Sequence, residues 1–267
     1  MRSINELMNL SGQTALVTGG TGFIGKAMLE TVAELGADVV ILDRDINTIN
    51  DVANFITEKY EVKAIPLQVD LEEPEEVSKV KHFIEKRCKS LDILINNAAF
   101  VGTSNIGGWV TPFEQQSVET WRRALEVNLT AAFELTQACV ELLRNSNNGS
   151  VINIASTYGV VGPDMSLYED TTMGNPAAYA ASKGGLIQLT RWLATTLGPD
   201  IRVNAISPGG IERGQPEIFQ QRYKARTPLG RMGKEEDFKG ITAYLASDLS
   251  SYVTGQNFLV DGGWTAW

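Results

Sequence analysis

Seven short runs rich in Val, Ile and Leu punctuate the chain, and amphipathic stretches separate them. This alternation limits the fold more than any other feature of the sequence. The runs are TALVT (14–18), ADVVILD (37–43), VKAIPLQVD (62–70), LDILINN (91–97), SVINIAS (150–156), IRVNAIS (201–207) and QNFLVDG (256–262). Apolar residues recur at helical spacing in 23–35, 45–59, 73–88, 117–144, 176–197 and 235–247. A strand with one wet face alternates apolar and polar residues, whereas near-continuous apolar runs belong to a parallel sheet covered on both faces. The regular alternation of strand and helix therefore predicts an α/β, doubly wound fold with a seven-stranded, mostly parallel sheet flanked by helices. Right-handed crossovers place its ligand crevice beyond the C-terminal strand ends. Two stretches, 157–175 and 208–230, read as irregular and follow strands, so both overhang that crevice.

The chain has 267 residues, 43% of them hydrophobic, with no repeat, low-complexity tract or dividing linker, which predicts one domain over 1–267. Its net charge of −9 opposes nucleic-acid phosphates and anionic lipid, so neither is an expected partner. Cys88 and Cys139 are too few for a disulfide framework and read as small buried thiols on helices. A lone histidine, His82, reads as a solvated helix position, and no metal site is expected. The N-terminus lacks a secretory pattern and no apolar stretch approaches the roughly 20 residues of a membrane span. The expected location is cytoplasmic.

The first strand runs into TGGTGFIG, with Gly19, Gly20, Gly22 and Gly25. A glycine turn between a first strand and a helix lets a diphosphate approach the backbone at the helix N-terminus. This marks a Rossmann fold and makes Gly19, Thr21, Gly22, Phe23 and Ile24 the candidate phosphate contacts. The second strand ends at Asp43. An acid there accepts hydrogen bonds from adenosine ribose hydroxyls and repels a 2′-phosphate, favouring NAD over NADP. Arg44 follows immediately and could serve that phosphate instead.

Tyr179 and Lys183 lie four residues apart in YAASK, so on a helix they share one face. A tyrosine of pKa about 10 is a poor base at neutral pH, but a neighbouring ammonium favours its phenolate. Such a tyrosine can exchange a proton with an alcohol or a ketone. Singly, each candidate has a structural alternative: Asn128 as a buried polar residue, Ser156 as a cap, Tyr179 as a packed aromatic.

Taken in order, these motifs resemble the short-chain dehydrogenase/reductase family along nearly the whole chain. The resemblance rests on TGGTGFIG, Asp70 in VDL, NNAA (96–99), Asn128 in EVNLT, Ser156, YAASK, ISPGG (207–210) and TGQNFLVDGG. It implies that Asp70 and Leu71 flank the adenine, that Asn97 and Ala98 line the adenosine side, and that Pro208, Gly209 and Ile211 sit by the nicotinamide. It further implies Tyr179 as acid/base, Lys183 on the nicotinamide ribose lowering the tyrosine pKa, Ser156 on the substrate oxygen, and Asn128 in a proton relay. Asn96 is read as structural, bonding backbone across strands. The implied partners are a small-molecule substrate and further copies of the chain, as a homodimer or homotetramer through the helices 117–144 and 176–197 and through the C-terminal strand with Trp264 and Trp267.

Three departures from the family pattern stand out. The glycine spacing is TGxxGxxG, with Phe23 where a glycine is usual; Arg213 stands where threonine is common; and Ser156 and Tyr179 are 23 residues apart, farther than usual. The extra segment carries Asp164, Tyr168, Glu169 and Asp170 near the expected substrate mouth, which suggests a polar loop at a pocket for a polar, hydroxylated substrate. The texture around INIASTYGVVGPD is similar to members from bacterial surface-glycan and nonulosonic-acid pathways. The expected activity is interconversion of a secondary alcohol and a ketone with NAD, NADP being the alternative cofactor. A 3-oxoacyl-thioester reductase and a non-catalytic dinucleotide-sensing regulator or scaffold are the competing readings.

Overall fold

The computed structural model describes residues 1–88, 90–101, 106–146 and 148–267. The strands are β1 (Thr14–Thr18), β2 (Asp38–Asp43), β3 (Ala64–Gln68), β4 (Ile93–Asn96), β5 (Gly149–Ile154), β6 (Ile201–Pro208) and β7 (Asn257–Val260). The α-helices are α1 (Ile4–Met8), α2 (Phe23–Glu34), α3 (Ile46–Tyr60), α4 (Pro74–Val77), α5 (Val80–Arg87), α6 (Val118–Leu125), α7 (Ala131–Arg144), α8 (Ala177–Leu197), α9 (Glu217–Arg226) and α10 (Lys239–Ala246). The strands form one sheet in the order β3-β2-β1-β4-β5-β6-β7, and every adjacent pair is parallel.

The apolar runs are continuous because both faces of the sheet are covered. Along β1, Ala15 and Val17 bury under one helical layer and Leu16 under the other; Val39 and Ile41 of β2 join the first, Val40 and Leu42 the second. The first layer is α2, α3 and α10, which contribute Met28, Leu29, Ile49, Ile56 and Leu245, with Phe238 from the turn before α10. The second comes from α5, α7 and α8 with Ile84, Leu135, Cys139, Leu143, Leu193 and Leu197. Each such aliphatic side chain contributes roughly 1.5–3 kcal/mol when fully buried. Because β1 lies between β2 and β4, the chain winds outward in opposite directions from this point. The loops leaving β1 and β4 diverge, and the crevice opens between them.

The expected strands and helices all form, with four refinements. The pattern at 73–88 divides into α4 and α5, because the Ser78 and Lys79 amides close a tight turn onto Pro74 and Glu76. The pattern at 117–144 is one unbroken helical run, but Glu126–Thr130 widens into a π turn in which the Ala131 amide reaches back to Glu126. α9 lies inside the stretch read as irregular. It buries only Phe219 and Tyr223, four residues apart, and its other positions are mostly polar, so it carries no apolar stripe. α1 is short and begins with a capping box between Ser3 and Glu6.

His82 on α5 is 69% exposed. Of the two thiols expected to be buried, Cys139 is, and desolvation pushes it up to about 12, whereas Cys88 is only half-buried because it caps the end of α5. Among the described residues, no helix is long and apolar enough to cross a membrane.

Candidate active site

The glycine loop is built by close approach. β1 ends at Thr18 and the chain turns through Gly19 at φ +61°, a conformation that suits glycine. Gly25, in the first turn of α2, packs so tightly on this loop that an added Cβ would lie 2.1 Å from Gly19 O and 2.5 Å from Asn97 Nδ2. Asn97 braces the loop from β4: its Nδ2 donates to Thr18 O at 2.9 Å and Gly19 O at 3.0 Å. Its amide and that of Ala98 both donate to Thr18 Oγ1 at 3.0 Å. From the other side, Asp43 accepts from Thr21 N at 3.2 Å, Thr21 Oγ1 at 2.6 Å and Arg44 N at 2.9 Å. Gly22 caps α2 and offers no side chain to the amides of the first turn. Those amides and the helix dipole favour an anion there.

One cavity of about 830 Å³ joins these parts, within the roughly 300–1,000 Å³ typical of ligand sites. Gly19, Thr21, Gly22, Phe23 and Ile24 form its middle. Asp43, Arg44, Asp70 and Leu71, with Asn97 and Ala98 nearby, line the part under β2, β3 and β4. Ser156, Tyr179, Lys183, Pro208, Gly209 and Ile211 line the part under β5, β6 and α8. The residues fit a dinucleotide: an acid stands at the end of β2, free helix amides at the centre, and the glycine cradle leaves no Cβ in the way.

Tyr179 and Lys183 project from one face of α8. Lys183 is 2% exposed; its Nζ donates to Ile154 O at 2.7 Å and lies 6.0 Å from the Tyr179 ring centroid. Ser156 follows β5, and its Oγ accepts from the Tyr158 amide at 3.2 Å. Burial dominates the electrostatics of this pair. Burial brings Lys183 down to about 8 and pushes Tyr179 upward. The groups that pull Tyr179 back are Ser156, by a hydrogen bond, and Arg213, by its charge; burial outweighs both, and Lys183 is not among them. The cause is geometric, since the ammonium turns towards the end of β5 rather than the phenol.

Among the candidate catalytic and cofactor-binding residues, Asn128 alone does not line the cavity. It is 1% exposed within the π turn; its Oδ1 accepts from Phe100 N at 2.6 Å and its Nδ2 donates to Ser182 Oγ at 3.0 Å. It thus ties the loop after β4 to α8 between Tyr179 and Lys183. Asn96 is structural, but through side chains rather than backbone: its Nδ2 donates to Asn153 Oδ1 at 2.9 Å.

The segment between Ser156 and Tyr179 does form a wall, though not with its acids. Asp164 caps Ser166 and pairs with Arg226, while Arg222 donates to Glu169 O and to Asp170 at 3.4 Å. These contacts dock the segment onto α9, and none of the three acids lines a cavity. The wall comes instead from Met173, Gly174, Asn175 and Tyr168. Beside Ser156 and Tyr179 lies a second cavity of about 170 Å³, bounded by Tyr158, Tyr168, Phe219, Tyr223 and Met232. The Tyr158 and Tyr168 hydroxyls are 2.8 Å apart, and Tyr223 stacks on Trp264 with centroids 5.8 Å apart. Sequence reading placed Tyr168 near the substrate mouth, where it lies, and missed the other aromatics. The only local signal was the Phe219 and Tyr223 pair at helical spacing.

Comparisons with known proteins agree with this architecture. A family model described as Enoyl-(Acyl carrier protein) reductase matches residues 21–265. The 3-oxoacyl-(acyl-carrier-protein) reductase of Aquifex aeolicus is 33% identical, over 96% of this chain and 98% of its own. The NAD-dependent glycerol dehydrogenase of Listeria innocua is 33% identical, over 99% of this chain and 98% of its own. The crystal structure of a gluconate 5-dehydrogenase from Burkholderia cenocepacia, in complex with NADP and tartrate, matches with a TM-score of 0.87 and 28% identity, covering 99% of this chain and 100% of that one. The chain belongs to the short-chain dehydrogenase/reductase family and is an oxidoreductase of that family. Its relatives and structural neighbours use NAD or NADP.

Proposed function

We propose that the chain, as one domain carrying both sites, interconverts a secondary alcohol and a ketone, prefers NAD, and acts on a compact, polyhydroxylated, sugar-like substrate. One observation carries the reading: Tyr179 and Lys183, one turn apart on α8, line the same cavity as Ser156 and the glycine loop. The bound nicotinamide supplies or takes the hydride. Tyr179 takes the alcohol proton or gives one to the ketone oxygen. Ser156 donates to that oxygen as negative charge develops on it. Lys183 serves the nicotinamide ribose and, carried there, adds positive charge beside the phenol. Asn128 acts by position, holding the loop after β4 and the first turns of α8 in register. The chain self-associates in this reading, as the family resemblance implies, and Trp121, Phe133 and Trp192 on α6, α7 and α8 are exposed.

The cofactor preference rests on Asp43, whose carboxylate would repel a 2′-phosphate. Fluorescence titration is expected to give tighter binding of NADH than of NADPH. Asp43→Ala is expected to narrow the gap and to weaken NADH as well, because Thr21 loses both bonds that hold the glycine loop. Tighter NADPH binding by the unmodified protein would assign the site to Arg44 instead.

The substrate class rests on the small cavity, whose tyrosine rings and Gln215 suit a compact molecule with several hydroxyls. Glycerol and gluconate dehydrogenases among the relatives and neighbours support it. The second reading, reduction of a 3-oxoacyl thioester, is favoured by the full-length likeness to the Aquifex aeolicus protein. A screen of polyols, sugars, sugar acids and sugar phosphates with NAD, read at the NADH absorbance, is expected to find turnover. Faster reduction of an acetoacetyl thioester by NADPH than any polyol turnover would select the second reading. NADH binding without turnover of any substrate would select the regulator.

A further inference from the structure

Two of the residues at which this chain departs from its family's pattern meet over the cavity. Phe23 opens α2, and its side chain is 63% exposed, an unusual position for a phenyl ring at the rim of a polar site. Arg213 comes from the loop between β6 and α9, on the opposite wall. Its guanidinium carbon lies 4.2 Å from the Phe23 ring centroid, within cation–π range. Both residues line the large cavity.

Arg213 is held from behind. Its Nε donates to Glu235 Oε1 at 3.2 Å. Its amide donates to Gln215 Oε1 at 2.7 Å, and Gln215 Nε2 donates in turn to Ile211 O at 2.6 Å. Its two terminal nitrogens donate to no acceptor among the described residues. The guanidinium is therefore oriented by a ring beneath and a carboxylate behind, with its outer fork free. Phe23 belongs to the first turn of α2, whose amides no side chain caps. A diphosphate on those amides would have Arg213 on its open side, and a guanidinium fork matches phosphate oxygens two at a time.

We propose that Arg213, seated on the Phe23 ring, clasps the diphosphate of the bound dinucleotide and sets how long the cofactor stays. The proposal rests on the cofactor reading of the cavity. It assigns a diphosphate rather than a substrate anion because the supporting ring belongs to the residue that opens the phosphate-binding helix.

The test is NADH release by stopped-flow chase with excess NAD, together with equilibrium titration, for the unmodified protein, Arg213→Gln, Arg213→Lys and Phe23→Ala. Arg213→Gln is expected to release NADH about tenfold faster or more and to raise its Kd in proportion, because affinity changes fall mainly on dissociation. ADP-ribose, which keeps the diphosphate, weakens alongside NADH, whereas adenosine binding is unchanged. Arg213→Lys falls between, since an ammonium keeps the charge without the fork. Phe23→Ala gives a smaller loss of about threefold, and the double variant is no worse than Arg213→Gln alone.

If the unmodified protein binds NADH and Arg213→Gln changes Kd and release by less than twofold, the clasp is wrong and the cofactor reading stands. A rise in substrate KM at unchanged NADH affinity would also overturn it, moving Arg213 to the substrate. An unmodified protein that binds no NADH or NADPH would overturn both. If Arg213→Gln does not fold, the Lys and Phe23→Ala variants decide by the same criteria.

Discussion

Tyr179→Phe is expected to lower kcat/KM by about a thousandfold or more, roughly 4 kcal/mol of transition-state stabilisation. NADH affinity should stay within about twofold of the unmodified protein. The substitution removes one oxygen. The ring keeps its packing beside Phe100, Trp109, Ala124 and Ala178, so the fold and the cofactor cleft have no reason to change. What disappears is, among the described residues, the only phenol in the cavity that shares a helix face with a buried lysine. Steady-state rates on the best substrate of the NAD screen, with an NADH titration alongside, separate chemistry from binding. Retention of more than about a tenth of kcat/KM, a loss under roughly 1.4 kcal/mol, would remove Tyr179 from the acid/base role.

The second large effect is structural. Gly25→Ala is expected to lower stability by about 3 kcal/mol, or roughly 10 °C in Tm. It should also weaken NADH binding by about a hundredfold or more. A Cβ 2.1 Å from Gly19 O cannot be absorbed by a side-chain rotation, because the obstacle is backbone. α2 must lift away from the glycine turn, and the N–H groups of its first turn move with it. The contact with Asn97 Nδ2 worsens matters, since that amide holds Thr18 and Gly19 in place. Gly240 on α10 is the control: an added Cβ meets nothing within 4 Å, and Gly→Ala within a helix stabilises by roughly 0.5–1 kcal/mol. Thermal melts and NADH titrations of both variants decide the matter. A Gly25→Ala protein with unaltered Tm and NADH affinity would show that the cradle has slack.

The two substitutions probe parts that were unequally visible in the sequence. The glycine turn could be placed from local pattern, because a strand, a tight turn and a helix are each specified by neighbouring residues. The pairing of Tyr179 with Lys183 could be placed for the same reason, being one helical turn. What the phenol experiences could not. Its proton affinity depends on how far the surrounding chain excludes water and on where the Lys183 ammonium points, and Ile154 O, 29 residues away, directs that ammonium. The acids between Ser156 and Tyr179 show the same limit. Their charge suggested a substrate contact, yet Arg222 and Arg226 on α9 engage Asp170 and Asp164, and Arg222 also holds the Glu169 backbone carbonyl. α9 itself was invisible because it buries one short aromatic pair and no stripe.

The sequence by itself determined the α/β alternation, the parallel sheet, the glycine turn at its switch point and the family of oxidoreductases to which the chain belongs. The first three follow from periodicity and from residues within a turn or a strand of one another, and the family from its resemblance to an ordered set of motifs along nearly the whole chain. The tertiary structure decided which groups meet across the crevice: Asn128 with Phe100 and Ser182, the tyrosines of the small cavity with one another, and Arg213 with Phe23. Each of those contacts joins segments that are remote along the chain. Their energies depend on distances of a few ångströms, which the packing of helices on the sheet sets and local pattern does not encode.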